Sequence, residues 1–533
     1  MRRVVSLFVV LALGAAGVIA APTAGASNEY VASEQYFEAP DGTKLYAQVF
    51  RPADAGEKGK TPVILVITPY QSFLNLSVRP TLLYPELANE MQVFEKGYTV
   101  VQASLRGYGK SDGCGDFGGP GEQMDAVAAV EWAAGQEWST GKVGTYGISY
   151  DAWTQMMAYA GKAPLSAAVV SSPLISAYRG LYMNGVHYAG GWHATPGLYG
   201  AIDLTSPGAP TEDSATCYPE NTYETARHDP STSYWKVRNL IKKAGNSKVP
   251  TLWSHGLLDP QTKPDNFLDV YSALDGYKRA WFGQFIHRIP DRASGNERFY
   301  EEVVHFFDRF LQGKNPPADP PVEIQEGSKG VWRTERQWPP ADSTYRMLPV
   351  KPGTYQDSYA DDTGAASQRG TWSFSQPMPY DVHVSGVPKM DLRVDSSLSG
   401  IHVHARLFDV DGTRATLVSR GAALVEGDGA ITDPLTEARV RFELYPQDWV
   451  LEKGHRIGVL ISGADNSWFD PGTTESSVTA YGGFKLPFLR FERDRALPKT
   501  TPGNDRGRIA YLTVDTQTIA ERTIRMPLPP RLR

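Results

Sequence analysis

Val143-Gly-Thr-Tyr-Gly-Ile-Ser-Tyr150 reads as a short apolar strand that turns sharply into a helix, with Ser149 at the apex. Such a turn needs a small residue two before the serine, and Gly147 stands there. Ala152, Met156, Met157, Ala158 and Ala160 announce the helix that follows. The Ser149 hydroxyl is then lifted off the sheet edge above a helix N-terminus. The G-x-S-x-G pattern is incomplete, because Asp151 occupies the place of the second glycine. A bare G-x-S is a weak signal, and an ordinary turn serine is the competing reading. Residues elsewhere in the chain must decide.

Similar apolar runs lie on both sides: Val63–Thr68, Thr99–Ser104, Lys142–Gly147, Ala167–Ser171, Val249–His255 and Lys278–Gly283. Strands of a parallel sheet covered by helices on both faces have this continuous apolar character. Glu122–Gly135, Pro264–Leu274 and Glu301–Leu311 carry apolar residues at helical spacing, so the expected fold class is α/β with helices layered on the sheet. From Pro173 to Lys248 the alternation stops, and the segment fills with Tyr, Trp, Gly, His and Pro. It reads as an insertion folded over the face where the strands end. Pro316–Pro340 is proline-rich and reads as a crossing into another domain. Beyond Tyr345 come short alternating runs, such as Lys389–Val394, His402–Phe408, Thr416–Ser419, Arg439–Leu444 and Arg456–Ser462, with Asp411-Gly412 as a hairpin turn. This half is expected to be all-β, a sandwich or jelly roll.

With 533 residues the chain exceeds one ordinary domain. Arg2 and Arg3, the apolar run Val4–Ala21 and Ala24-Gly-Ala26 read as a secretory signal, with a membrane anchor as the competing reading. The expected division is a signal over 1–26, an α/β domain over 27–172 and 249–340, a cap over 173–248, and a β-sandwich over 341–533. A secreted, extracellular location follows. The net charge is −6 and no basic block occurs, which argues against nucleic acid and, after signal cleavage, against a membrane as partner. Cys114 and Cys217 permit one disulfide in an exported chain.

A serine hydroxyl is a weak nucleophile at neutral pH and needs a histidine base, itself oriented by a carboxylate. In α/β-hydrolases these follow the serine in the order acid, histidine. Pro250–Asp259 runs off a strand into a loop that ends on Asp259, and Ala280–His287 does the same for His287. Both would reach the sheet edge that carries Ser149. Asp265 and Asp269 compete as acids but read as solvated charges on a helix face; His255 and His305 compete as bases but read as packing residues. The Tyr150 N–H, at the head of the helix, is one candidate donor to an oxyanion, and Tyr70, in the loop after an early strand, is a second. Arg106–Ser111 imitates part of a phosphate loop without its first glycine or its helix. His402 and His404 share a strand face without a third ligand, and Asp409-Val-Asp411-Gly412 lacks the rest of a calcium loop. No metal or cofactor is expected.

Taken together, the chain resembles the Xaa-Pro dipeptidyl-peptidase and cocaine-esterase family of serine hydrolases over nearly its whole length after the signal. The matching stretches are Thr68-Pro-Tyr70, Arg106–Gly113, Glu131-Trp132, Trp138–Gly144, Gly147–Tyr150, the strand ending in Asp259, Gly283–His287 and Phe307–Gly313. In the β half they are Val384–Pro388, Arg420-Gly421 and Lys453–Ile457. The resemblance implies Ser149 as nucleophile, Asp259 and His287 as its partners, and the Tyr70 hydroxyl with the Tyr150 amide as oxyanion donors. It also implies a C-terminal jelly roll and tolerance of Asp151. Gln284 and Phe285 depart from the Pro-Trp pair common before the histidine.

The function expected is a secreted serine hydrolase acting through an acyl-enzyme, of the Xaa-Pro dipeptidyl-peptidase type, on a small peptide or ester. A homo-oligomer is left open. An exopeptidase needs a carboxylate for the substrate ammonium, and Glu212, Asp213 and Glu220 are candidates against the simpler reading of surface charge. The alternatives are an acyl esterase of the cocaine-esterase type and, more remotely, an inert polymer-binding protein.

Overall fold

A computed structural model describes residues 30–73, 80–188, 214–265, 267–290, 298–358, 370–465, 468–490, 493, 499–502, 513–519 and 521–525. The expected signal over 1–26 lies outside the described residues. The strands that position the site are, in chain order, β1 (Tyr30–Glu38), β2 (Lys44–Pro52), β3 (Thr61–Thr68), β4 (Thr99–Ser104), β5 (Ser139–Ile148) and β6 (Ala167–Ser171). The short pair β7 (Tyr182–Met183) and β8 (Val186–His187) follows, then β9 (Thr251–Gly256), β10 (Lys278–Gly283), β11 (Val322–Gln325) and β12 (Val331–Glu335).

One large sheet runs in the order β1-β2-β4-β3-β5-β6-β9-β10-β11-β12, with Lys499–Pro502 beyond β12. From β4 to β11 all neighbours are parallel, whereas the β1–β2 hairpin and β12 lie antiparallel at the two ends. β3, β4, β6 and β9 are buried at every position, as central strands covered on both faces must be. The two-residue period divides β3 between two cores: Val63, Leu65 and Ile67 meet Ala126, Val130, Trp153 and Met156 of helices Pro120–Gly135 and Tyr150–Ala160. Ile64 and Val66 join the opposite core, with Phe299, Val303 and Phe307 of helix Arg298–Leu311.

The C-terminal half forms two six-stranded sheets packed face to face. Leu392, Val394, Phe484 and Leu486 of one share a core with Val403, Ala405, Val459 and Ile461 of the other. Gly412, at φ +56, turns the hairpin between Ile401–Asp411 and Arg414–Val425, where the sequence placed it.

Three features depart from the sequence reading. The β1–β2 hairpin was not expected. Pro316–Pro340, read as a crossing, supplies β11 and β12 to the main sheet; their buried Glu323, Gln325, Arg333 and Glu335 conceal the apolar pattern. The boundary drawn at 340–341 is also crossed, because Val331 of β12 pairs with Pro502 from beyond the sandwich.

Candidate active site

The strand ends beside the apex lie level. Ile148 pairs with Ser171, Ser171 with Ser254, and Gly256 with Gly283, so β5, β6, β9 and β10 finish together at the carboxyl edge of the sheet. Ser149 leaves β5 with φ 65 and ψ −123, a conformation L residues rarely adopt. Its N–H continues the ladder to Ser171 O at 3.0 Å, while its C=O accepts from Ala152 and Trp153 to start the helix. Gly147 is required: a Cβ there would lie 2.6 Å from Asp151 Cβ.

The loop after β9 presents Asp259, fully buried. Its Oδ1 accepts the N–H groups of Gln261 and Thr262 at 2.8 and 2.9 Å, and its Oδ2 the Thr262 hydroxyl at 2.8 Å. His287, after β10, sets Nδ1 2.8 Å from the same Oδ2. Burial alone would raise the Asp259 pKa, but His287 holds the carboxyl below its usual range. That bond leaves the other ring nitrogen, Nε2, for a neighbouring hydroxyl. Gln284 fixes the His287 loop: its N–H donates to Gln325 Oε1 at 2.9 Å, and its Nε2 to Gln447 Oε1 of the sandwich at 3.1 Å. Gly256 allows this loop to lie close, since a Cβ there would meet Phe285 O at 2.2 Å.

On the other side of Ser149, Tyr70 follows β3. Its N–H donates to Thr68 Oγ1 at 3.0 Å, and its hydroxyl oxygen receives the Tyr150 N–H at 3.4 Å. These two donors thus converge beside Ser149. The Tyr150 ring is held through its own hydroxyl, which donates to buried Glu122 at 2.6 Å. Two further residues belong here that the sequence reading missed or discounted. Asp151 is buried, and its Oδ2 accepts the Tyr84 hydroxyl at 2.7 Å; burial lifts its pKa to about 8 against the Tyr84 and Thr68 hydroxyls, which lower it. Tyr84 also accepts the Ile148 N–H, at 3.2 Å. The sequence signal for Asp151 was a carboxylate at the head of an otherwise apolar helix; nothing local marks Tyr84.

With this geometry in view, the comparisons are specific. The family model of the X-Pro dipeptidyl-peptidases (S15 family) matches residues 41–288, and that of the X-Pro dipeptidyl-peptidase C-terminal non-catalytic domain matches 317–485. The chain belongs to this family. It is a hydrolase, with the α/β-hydrolase fold followed by the family's all-β domain. A Bacillus cereus protein provisionally named an Xaa-Pro dipeptidyl-peptidase is 25% identical, covering 82% of this chain and 85% of its own. The cocaine esterase of Rhodococcus sp. is 25% identical over 85% of this chain and 94% of its own. A CocE/NonD family hydrolase of Staphylococcus aureus has the same fold, with TM-score 0.70, 19% identity, and coverage of 86% of this chain and 94% of that one.

The remaining candidates take other places in this S15-family chain. His255 is buried under the Asp259 loop, with Nε2 3.0 Å from Thr262 O and its ring stacked on Phe267; burial lowers its pKa to about 4. His305 packs on its helix, 3.3 Å from Asp319. Asp269 pairs with Arg179 at the surface. Asp265 corrects the sequence reading: it lies in a turn ahead of helix Phe267–Ala273, and its side chain is nearly buried, 3.8 Å from Lys263 Nζ. Glu220 is exposed, while Glu212 and Asp213 lie outside the described residues. His402 and His404 pack ring to ring at 5.8 Å, and no group of three metal-ligating side chains occurs among the described residues. Arg106 grips Asp125 with 2.9 and 2.6 Å bonds, a structural role for the loop that imitates a phosphate site. Cys114 is disulfide-bonded, and Cys217 is the only other cysteine of the chain.

Proposed function

We propose that the chain is a secreted serine hydrolase that works through an acyl-enzyme. The observation that carries this reading is the convergence at one sheet edge of strained Ser149, the bonded pair His287–Asp259, and the paired donors Tyr70 and Tyr150. His287 Nε2 takes the Ser149 proton as Oγ attacks the substrate carbonyl, and the Tyr70 hydroxyl and Tyr150 N–H hold the resulting oxyanion. Collapse expels the leaving group, which collects the proton from His287. Water, deprotonated by the same ring, then releases the acid and restores Ser149. Asp259 keeps the proton of the neutral ring on Nδ1. These residues account for every proton in the cycle, so the reading calls for no cofactor.

The substrate proposed is the N-terminal Xaa-Pro dipeptide of a small peptide, supported by the family description and by relatives such as that of Bacillus cereus. The second reading, hydrolysis of simple acyl esters, is favoured by the likeness to a cocaine esterase along nearly all of that protein's length. Secretion is supported by the composition of residues 1–26. Cleavage rates of an Xaa-Pro anilide and its N-acetylated form decide between the substrates. Preference for the free amine supports the peptidase, and equal rates with faster cleavage of a p-nitrophenyl ester support the esterase. Labelling by a fluorophosphonate that disappears in Ser149→Ala is expected for both; wild-type protein that takes no label would make the inert polymer-binding alternative the better one.

A further inference from the structure

Asp151 stands where the turn pattern has glycine, and its side chain fills the space that the absent Gly147 side chain leaves. Two routes meet at its carboxyl, one a hydrogen-bond chain and the other a close approach. One passes through the Tyr84 hydroxyl to the N–H of Ile148, the residue just before Ser149. The other passes through the Thr68 hydroxyl, which lies against the same carboxyl, to the N–H of Tyr70. The carboxyl therefore links the strand end that carries one oxyanion donor to the turn that carries the other.

We propose that Asp151 is a positioning residue: by tying the end of β3 to the Ser149 turn, it sets the Tyr70 hydroxyl and the Tyr150 N–H at the spacing that lets both reach one oxyanion. This inference rests on the assignment of those donors under the proposed function. Helix packing alone would be served better by a leucine of similar size, because Asp151 Oδ1 is buried without a hydrogen-bond partner, a costly arrangement in an apolar setting. A residue that breaks a local rule at a site is expected to act there. The spacing matters because oxyanion donors work only at about 2.7–3.1 Å from the developing charge.

The test compares wild type, Asp151→Asn, Asp151→Leu, Tyr84→Phe and Asp151→Leu in a Tyr70→Phe background, using the full chain, a p-nitrophenyl ester for kcat and KM, and a fluorophosphonate for labelling rate. Asp151→Leu is expected to lower kcat about 100-fold, the scale of losing one oxyanion donor, with KM changed less than about threefold. Asp151→Asn, whose amide oxygen still accepts from Tyr84, should recover activity to within about tenfold of wild type. In the Tyr70→Phe background, Asp151→Leu should add less than about threefold, because the two act through one hole. A folded Asp151→Leu protein with wild-type kcat, or one whose loss multiplies fully with Tyr70→Phe, overturns the proposal. If Asp151→Leu does not fold, Tyr84→Phe decides: a kcat loss of about tenfold supports the proposal and an unchanged kcat overturns it. Wild-type protein that neither cleaves the ester nor takes the label overturns the proposed function as well, so the two failures are distinguishable.

Discussion

Asp448, between the two domains, and Asp151, beside Ser149, are both withdrawn completely from water, yet the molecule treats them in opposite ways. Asp448 accepts a fork of bonds from Arg333 at 2.5 and 2.6 Å, His383 Nε2 at 2.7 Å, the Ser385 hydroxyl at 2.6 Å and the Trp338 indole at 3.3 Å. Burial would raise its pKa, but Arg333 and His383 reverse the sign and hold it far below the usual range. Asp151 meets hydroxyls, so burial prevails and its pKa rises to about 8. Depth alone therefore does not set the charge of a buried acid; the neighbours that replace its water do. Where the two domains are joined the carboxyl is fully compensated. At the Ser149 turn the carboxyl faces only hydroxyls, and burial keeps its pKa raised.

The pH dependence of stability should follow with opposite slopes. The folded pKa of Asp448 is depressed, so its contribution is present above the ordinary aspartate value of 3.8 and is lost as pH falls through the lower folded value. The folded pKa of Asp151 is raised, so its contribution is complete below 3.8 and is lost as pH climbs toward about 8.

Substitutions can widen or abolish this contrast. The largest effect is expected from Ser149→Ala: kcat should fall on the order of 10⁶-fold with the unfolding midpoint near wild type, which separates the two regions by function. Asp259→Asn should come next, losing on the order of 10⁴ in kcat because the His287 tautomer is no longer held; steady-state kinetics on the ester read both. Asp448→Ala leaves Arg333 and His383 charged or polar in the interior and should cost about 3–5 kcal/mol in urea unfolding. An Asp448→Ala protein as stable as wild type would break the comparison. The smallest effect belongs to Asp151→Asn. It should flatten the loss of stability between pH 5 and pH 8 relative to wild type, by no more than the roughly 1.4 kcal/mol per pH unit that one proton carries. The difference between the two proteins is the informative quantity, because burial also lifts Glu122 and Glu302 to about 8 and gives them the same slope.

The same contrast marks where residues could be read without coordinates. β3, β4, β6, β9 and β10 were legible because central parallel strands are continuous apolar runs, and their ends then located Ser149, Asp259 and His287. β11 and β12 were hidden because they bury Glu323, Arg333 and Glu335 as ion pairs with Arg298, Asp448 and Arg493, partners far away in the chain. Asp265 misled for a related reason: helical spacing from Pro264 suggested a solvated face, but the chain closes Asp265 against Lys263 before the helix begins. Asp151 looked like a defect in a motif, since its partners Thr68 and Tyr84 lie on other segments. Local periodicity reports burial of apolar groups and says little about buried charge, whose partners are set by tertiary contact.

The strand Lys499–Pro502, which lies against β12, has a consequence for biosynthesis. The hydrolase sheet cannot be completed when its own stretch of messenger has been read. Until the ribosome has also delivered the sandwich and the segment beyond it, the outer edge of β12 stays open to any other strand. The catalytic half must therefore wait, nearly finished, for a piece translated long after it, and a nascent chain stalled before residue 499 is the form most exposed to pairing with the wrong neighbour.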